Sequence, residues 1–388
     1  MTLAPFVGAL LLAAGCAQRS DSTPPNPGAT LPATVASIAG RGPNPQVRAG
    51  ASNPTAVTQV YQLASPAVVT VTSTIQSNAG PLGMAQQQGT GSGFIIDGDG
   101  RIITNNHVVE DANRLEVTLP GGKTVPAQLV GRDPFFDLAV ISVDPSGSQL
   151  TTATLGDSDQ LQIGELAVAI GNPFGLEGTV TTGVISARRA TVPEPEGGGV
   201  LIDAIQTDAS INPGNSGGPL LNADGEVIGI NTLARLGVSG GTAGINFAIP
   251  INAAKRIVPA LIQSGTYNHP FLGVGTVPIT QSIAQELGLS VSSGLIVQTV
   301  EPGSGAAQAG IRAAGPPQQI RSRQVGAGGD IITGVDGQPL NQGADLLTYL
   351  ERNKSPGDTV NLQILRDGQE QTVPVKLGNR PPPTPSGR

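Results

Sequence analysis

The chain has 388 residues with 54 glycines, 33 prolines, no tryptophan and 3% aromatic side chains. That length suits two or three domains, and the many short apolar runs broken by turn residues point to mainly β structure. Only 21 basic residues stand against 28 acidic ones, for a formal charge of −7, so nucleic acid is excluded as an expected partner. A single cysteine, Cys16, allows no intrachain disulfide.

The first sixteen residues hold an apolar run of about twelve, too short to span a bilayer but suited to a signal peptide. Ala13, Ala14 and Gly15 before Cys16 resemble a bacterial lipobox, although Ala13 stands where leucine is usual and no lysine or arginine precedes the run. That resemblance implies export and lipidation of Cys16; simple cleavage of the signal is the other reading. Residues 17–54 are rich in Pro, Ser, Gly, Asn and Thr and have no apolar period, so they read as a disordered tether. As a flexible coil they would reach roughly 35 Å.

Residues 55–265 read as one β-rich unit. A short amphipathic helix (Val57, Val60, Tyr61, Ala64) precedes strands at 67–75, 93–97 and 101–104, the last two joined by a Gly98-Asp99-Gly100 turn. Asp97 and Asp99 lack the other ligands of a calcium loop, so the turn reading stands and no metal or cofactor is expected. His107, one of two histidines, follows at a strand end and is the leading candidate for a base of near-neutral pKa. Strands at 115–119 and 125–131 lead to Asp137, which opens an apolar strand. A carboxylate there needs a hydrogen-bonding partner, and an imidazole Nδ1–H suits it. Asp133, before Pro134, reads as a turn residue. Further strands at 165–170, 178–186 and 202–207, a two-strand hairpin at 220–228 and a strand at 244–249 complete a second set, and two antiparallel six-strand sets suggest paired β-barrels.

Within the second set lies Asp208-Ala-Ser-Ile-Asn-Pro-Gly-Asn-Ser-Gly-Gly-Pro-Leu220. Glycines around Ser216 permit sharp turns and close approach, and Pro213 and Pro219 keep the loop out of helix and central strand. Taken alone the loop is as readily a surface turn. With His107 and Asp137 it has the chain order of chymotrypsin-like proteases, with a serine nucleophile, a base and an orienting acid. The Gly-x-Ser-x-Gly elbow of α/β-hydrolases also fits the pattern, but Gly217, Gly218 and Pro219 forbid the helix it requires. The only downstream histidine, His269, reads as part of a linker before Pro270.

Thr104–Val109, Asp137-Leu-Ala-Val140, Gly171-Asn-Pro-Phe-Gly175 and Gln206–Leu220 together resemble the HtrA/Deg family of trypsin-like serine proteases, a likeness running from about residue 57 to 378. The resemblance implies a chymotrypsin-like double β-barrel with Ser216 as nucleophile, His107 as general base and acid, and Asp137 as orienting carboxylate. It also implies an oxyanion hole at Gly214, Asn215 and Ser216, made by the amides of Gly214 and Ser216 with Asn215 shaping the turn. Asn215 carries no charge to pair with a newly cut N-terminus, so ordering of loops 188–200, 208–215 and 234–243 is the implied control. Substrate would pair as a strand along Ile245-Asn246-Phe247 and onward to Ile249, with Ser210 and Ile211 at a pocket for small or medium apolar residues. Asn246 stands where the family usually has glycine. The short segment 76–88 implies a trimer rather than a cage.

A helix at 251–262, capped by Asn252 and ended by Gly265, leads into a second unit at residues 268–378. Its order of elements resembles an α+β PDZ domain with Leu272-Gly273-Val274 as carboxylate-binding loop, implying capture of C-terminal peptides. Residues 313–328 read as an insertion, and 379–388 as a disordered tail. The expected activity is ATP-independent endoproteolysis of unfolded or damaged proteins in the cell envelope or periplasm. A proteolytically idle chaperone or peptide-binding protein is the alternative.

Overall fold

The computed structural model describes residues 54–78, 84–147, 149–172, 178–193, 200–232, 244–320 and 322–382. The expected signal peptide, Cys16, the tether, residues 173–177, loop 234–243 and the last six residues lie outside these. Helix α1 (Pro54–Ala64) leads into six strands: β1 (Val68–Asn78), β2 (Met84–Ile95), β3 (Arg101–Thr104), β4 (Arg114–Thr118), β5 (Thr124–Asp133) and β6 (Leu138–Val143). They close as a barrel in the order β1-β2-β3-β6-β5-β4. A second set, β7 (Leu166–Gly171), β8 (Thr179–Pro193), β9 (Val200–Thr207), β10 (Pro219–Leu221), β11 (Val227–Thr232) and β12 (Asn246–Pro250), closes as β10-β11-β12-β9-β8-β7. Closure removes exposed strand edges, which a β-rich chain with few charged residues otherwise leaves open to aggregation.

Each barrel has its own apolar filling: Val69, Val71, Ile95, Ile102 and Ile141 in the first, Ala167, Ala169, Ile185, Ile205 and Leu220 in the second. A larger cluster lies between them. Phe94, Ile103, Leu138 and Val140 of the first barrel meet Val168, Ile170, Ile230 and Phe247 of the second, joined by Ile257 and Leu261 of helix α3 (Ile251–Ser264). Burying a side chain of this size contributes about 1.5–3 kcal/mol, so the two barrels are held as one body and the seam between them is a fixed place to build a site. Gly265 ends α3 in the left-handed region, φ 78°. Asn252 does not cap it: the cap position is Pro250, and the Asn252 amide instead donates to Asp157 and Asp159 at 2.7 and 3.0 Å.

The second unit begins with β13 (Pro270–Phe271) and β14 (Val274–Pro278), then α4 (Gln281–Leu287), β15 (Leu295–Val300) and α5 (Gly305–Gln308). It continues through β16 (Pro317–Ile320), β17 (Arg323–Gly326), β18 (Ile331–Val335), β19 (Gln338–Pro339), α6 (Gly343–Asn353), β20 (Thr359–Arg366), β21 (Gln369–Lys376) and β22 (Gly378–Asn379). The sheet runs β14-β15-β18-β20-β21, leaving β14 at an edge beside α6. The insertion at 313–328 has a physical explanation here. It folds as the β16–β17 hairpin, whose buried Ile320 and Val325 join Ile279, Ile283, Ile296 and Ile331 in a separate small core under α4.

His269 is not a linker residue. It is 5% exposed, with Nε2 3.0 Å from Asp133 of β5 and Nδ1 3.0 Å from Glu351 of α6. Phe135, Phe136 and Tyr267 surround its ring, and the Arg380 guanidinium lies 4.1 Å from the Phe135 ring centre. Burial alone would lower its pKa, but the hydrogen bonds that the ring donates to both carboxylates carry it up to about 9. Asp133 thus does more than turn the chain. The next residue of α6, Arg352, pairs with Asp203 of β9 in the second barrel and with Asp159 in the segment before β7, where Arg188 joins them.

Candidate active site

His107 sits on a one-turn helix, α2 (Asn106–Val109), directly after β3, rather than on the strand end itself. Asp137 stands just before β6, and β3 and β6 pair through Thr104 and Ala139, so the ladder carries the two residues to the same end of the barrel. The asparagines before the histidine clip the aspartate's backbone. The Asn105 side-chain amide donates to Asp137 O at 3.0 Å and the Asn106 N–H at 3.1 Å. These bonds hold Asp137 at φ 52°, a left-handed conformation that costs a β-carbon residue on the order of 1–2 kcal/mol.

The carboxylate is fully engaged. Oδ2 is 2.8 Å from His107 Nδ1 and accepts from the Thr232 hydroxyl at 3.0 Å; Oδ1 is 3.0 Å from Nδ1 and accepts the His107 backbone N–H at 2.9 Å. Facing a carboxylate, Nδ1 carries the proton, which makes Nε2 the acceptor nitrogen of the neutral ring. The Asp137 side chain is 9% exposed while that of His107 is 44% exposed, so the acid is buried and the imidazole opens to the cleft.

Ser216 approaches from the second barrel. Asn231 and Thr232 end β11, and the Asn231 carbonyl accepts the Gly217 N–H at 2.9 Å while Thr232 reaches Asp137. The strand that braces the serine loop therefore also touches the acid. Gly217, φ 83°, shows how close the approach is: a β-carbon there would lie 2.4 Å from Thr104 Oγ1 and 3.1 Å from Asn105 N. Gly91 plays the same part opposite, where a β-carbon would stand 2.7 Å from Val108 and 3.2 Å from Ser216 O. The Asn215 N–H donates to Asn212 O at 2.9 Å, so it takes no part in an anion site. Among the described residues, the amides of Gly214 and Ser216 have no protein acceptor.

Other expected site residues fall differently. β12 pairs with β11 on one side and β9 on the other, through Asn246↔Thr207, Phe247↔Gln206 and Thr232↔Phe247. Phe247 and Ala248 are thus paired on both sides and offer no free edge to a substrate strand, while Asn246 pairs only with β9 and Ile249 only with β11. Asn246 and Phe247 are buried, and only Ile245, ahead of the strand, is exposed. Ser210 is exposed with its carbonyl accepting from Thr181 at 2.7 Å, whereas Ile211 is a core residue at 1% exposure. The expected loop 188–200 is largely strand: Arg188 to Pro193 pair with Ile205 to Val200, and residues 194–199 are outside the description. Leu272 is buried and Gly273 takes φ 83° with Ser304 against it, before the free edge of β14. Thr232 and Asn231 went unnoticed in the sequence. Their signal was two polar side chains closing the otherwise apolar run Val227-Ile-Gly-Ile230.

Residues 91–230 match the trypsin-like peptidase domain and residues 270–377 the PDZ domain. The chain is 43% identical over 312 residues to a protein of Synechocystis sp. bearing the serine-protease name HhoA, covering 76% of this chain and 72% of that protein. It is 40% identical over 299 residues to a Rhizobium meliloti protein named as a DegP-like periplasmic serine endoprotease, spanning 77% of this chain but 55% of that protein. The solved structure of the HtrA-type protease AlgW with a decapeptide superposes with a TM-score of 0.68 at 35% identity, covering 84% of this chain and 99% of AlgW. A serine endoprotease from Yersinia pestis gives 0.59 at 32% identity, covering 84% of this chain and 98% of that one.

Proposed function

Because the chain belongs to the HtrA/Deg family of trypsin-like serine proteases, we propose that it is a serine endopeptidase acting through His107, Asp137 and Ser216. The observation that carries this is the fully engaged Asp137 carboxylate, bonded to His107 Nδ1 from one barrel and to Thr232 from the other. Ser216 Oγ attacks the scissile carbonyl as its proton passes to His107 Nε2. The resulting oxyanion is met by the N–H groups of Gly214 and Ser216. The imidazolium, steadied by Asp137, returns the proton to the leaving amine, and water then hydrolyses the acyl-enzyme by the same steps. Asp137 orients the ring throughout, its carboxylate accepting hydrogen bonds from the His107 ring and backbone and from Thr232.

The substrates are unfolded or damaged proteins cut after small or medium apolar residues, since Ser210 offers no charge to select lysine or arginine. The PDZ unit binds C-terminal peptides at β14, its carboxylate loop being Leu272-Gly273-Val274; the AlgW structure with a decapeptide supports peptide binding in this architecture. The protein works outside the cytoplasm as a trimer anchored through Cys16, a reading supported by the N-terminal pattern and by the periplasmic naming of a relative. Casein hydrolysis by the wild type and by Ser216→Ala tests the protease reading. Equal activity in both would overturn it, and an inert wild type that still prevents aggregation would favour the idle chaperone.

A further inference from the structure

Resting on that protease reading, we infer that the Ser92 hydroxyl positions the oxyanion site: from the first barrel, it holds the turn of the second in the form that presents its amides. Ser92 lies on β2 and is fully buried, at 0% exposure. Its Oγ accepts the Asn172 N–H at 2.8 Å, which directs its own hydrogen to the Gly214 carbonyl, 2.6 Å away. Its backbone N–H donates to the Ser216 carbonyl at 2.8 Å, and its carbonyl accepts from Thr104 Oγ1 at 2.7 Å. The Thr70 hydroxyl in turn holds the Asn172 carbonyl.

The peptide planes of the turn show why this matters. The plane between Gly214 and Asn215 is held at both ends, its carbonyl by Ser92 Oγ and its N–H by Asn212 O. The plane between Ser216 and Gly217 is likewise held, its carbonyl by the Ser92 N–H and its N–H by Asn231 O. Between and before these two planes stand the amides of Ser216 and Gly214, turned out of the protein's own network. The Asn215 carbonyl is taken by the Gly218 N–H at 3.0 Å, so the Ser216 amide cannot rotate without breaking that bond.

Gly214 is the weak point, because at φ 102° and without a β-carbon it rotates at little steric cost. The Ser92 hydroxyl is the only side chain that holds its carbonyl among the described residues. Ser92 therefore touches no substrate atom. It acts through the turn, and makes the anion site depend on the first barrel being seated against the second.

The test is Ser92→Ala in the full chain, assayed on a chromogenic peptide and with a peptide boronate, whose tetrahedral adduct places an oxygen where the oxyanion forms. The expected result is kcat lower by about 10- to 100-fold with KM within about twofold. The boronate inhibition constant should weaken by a similar factor, because a merely structural role does not move tetrahedral and ground-state binding differently. Rates are taken per folded molecule from circular dichroism, so partial unfolding cannot mimic the effect. Ser92→Cys, whose thiol is a weak donor, should fall between Ser92→Ala and wild type. A kcat within twofold of wild type, or a loss of kcat with boronate affinity intact, overturns the assignment while leaving the protease reading in place. An inert wild type would overturn both.

Discussion

The chain's two histidines occupy opposite environments. His107 is half open to the cleft and paired with one carboxylate through Nδ1. His269 is buried, ringed by Phe135, Phe136 and Tyr267, and held by a carboxylate at each nitrogen. An imidazole that must take up and release a proton needs one nitrogen facing the reacting group. One with both nitrogens clamped by Asp133 and Glu351 keeps its proton and becomes a fixed cation between two parts of the fold. On the proposed reading the same side chain does chemistry in one place and fastening in the other, and the number of carboxylates around it decides which.

The sharpest way to break the comparison is to remove each ring in turn. His107→Ala should lower peptide hydrolysis by about 10⁴-fold or more while the thermal midpoint stays within a few degrees. His269→Ala should do the reverse. It leaves two buried carboxylates without their shared cation, so denaturant unfolding should show a loss of about 3–5 kcal/mol, with peptide hydrolysis per folded molecule close to wild type.

pH gives the next largest effect. A folded pKa of about 9 against 6.5 for the unfolded ring means the stabilising contribution of His269 is complete below pH 6.5 and is lost as pH rises through 9. That contribution is on the order of 3 kcal/mol. Arg380 and Tyr267 face the same pocket, and Arg380, its pKa lowered mainly by burial, loses its charge more readily than an exposed arginine. Urea midpoints measured from pH 6 to 9.5 should fall in wild type and stay nearly flat in His269→Gln. Equal slopes would show that the clamp holds no proton of its own. The smallest effect belongs to the second barrel's hold on the acid. Thr232→Val should lower kcat by roughly tenfold with KM little changed, since one hydrogen bond to a charged group contributes about 1.5 kcal/mol.

The barrels, the PDZ unit and the candidates His107, Asp137 and Ser216 were legible because each is announced locally: alternating strands, turn glycines, a polar residue at the start of an apolar run. The role of His269 was not legible, because its partners Asp133 and Glu351 lie 136 and 82 residues away and nothing next to Pro270 signals burial. That β12 has no free edge at Phe247 and Ala248 was hidden for a related reason. The alternation in Ile245–Ile249 reads as strand, but whether an edge is free depends on which strands close around it, and β11 and β9 occupy both sides. The extension of β8 through Arg188–Pro193 was hidden by its glycine-rich continuation, which resembles loop in composition.

Glu351 and Arg352 are neighbours on α6, and one reaches the first barrel through His269 while the other reaches Asp203 on the second and Asp159 in the segment leading to it. Successive side chains on a helix point about 100° apart, so this single pair spans the seam like the two jaws of a caliper. The helix beside the edge strand β14 is thereby tied to both barrels of the body that carries Ser216.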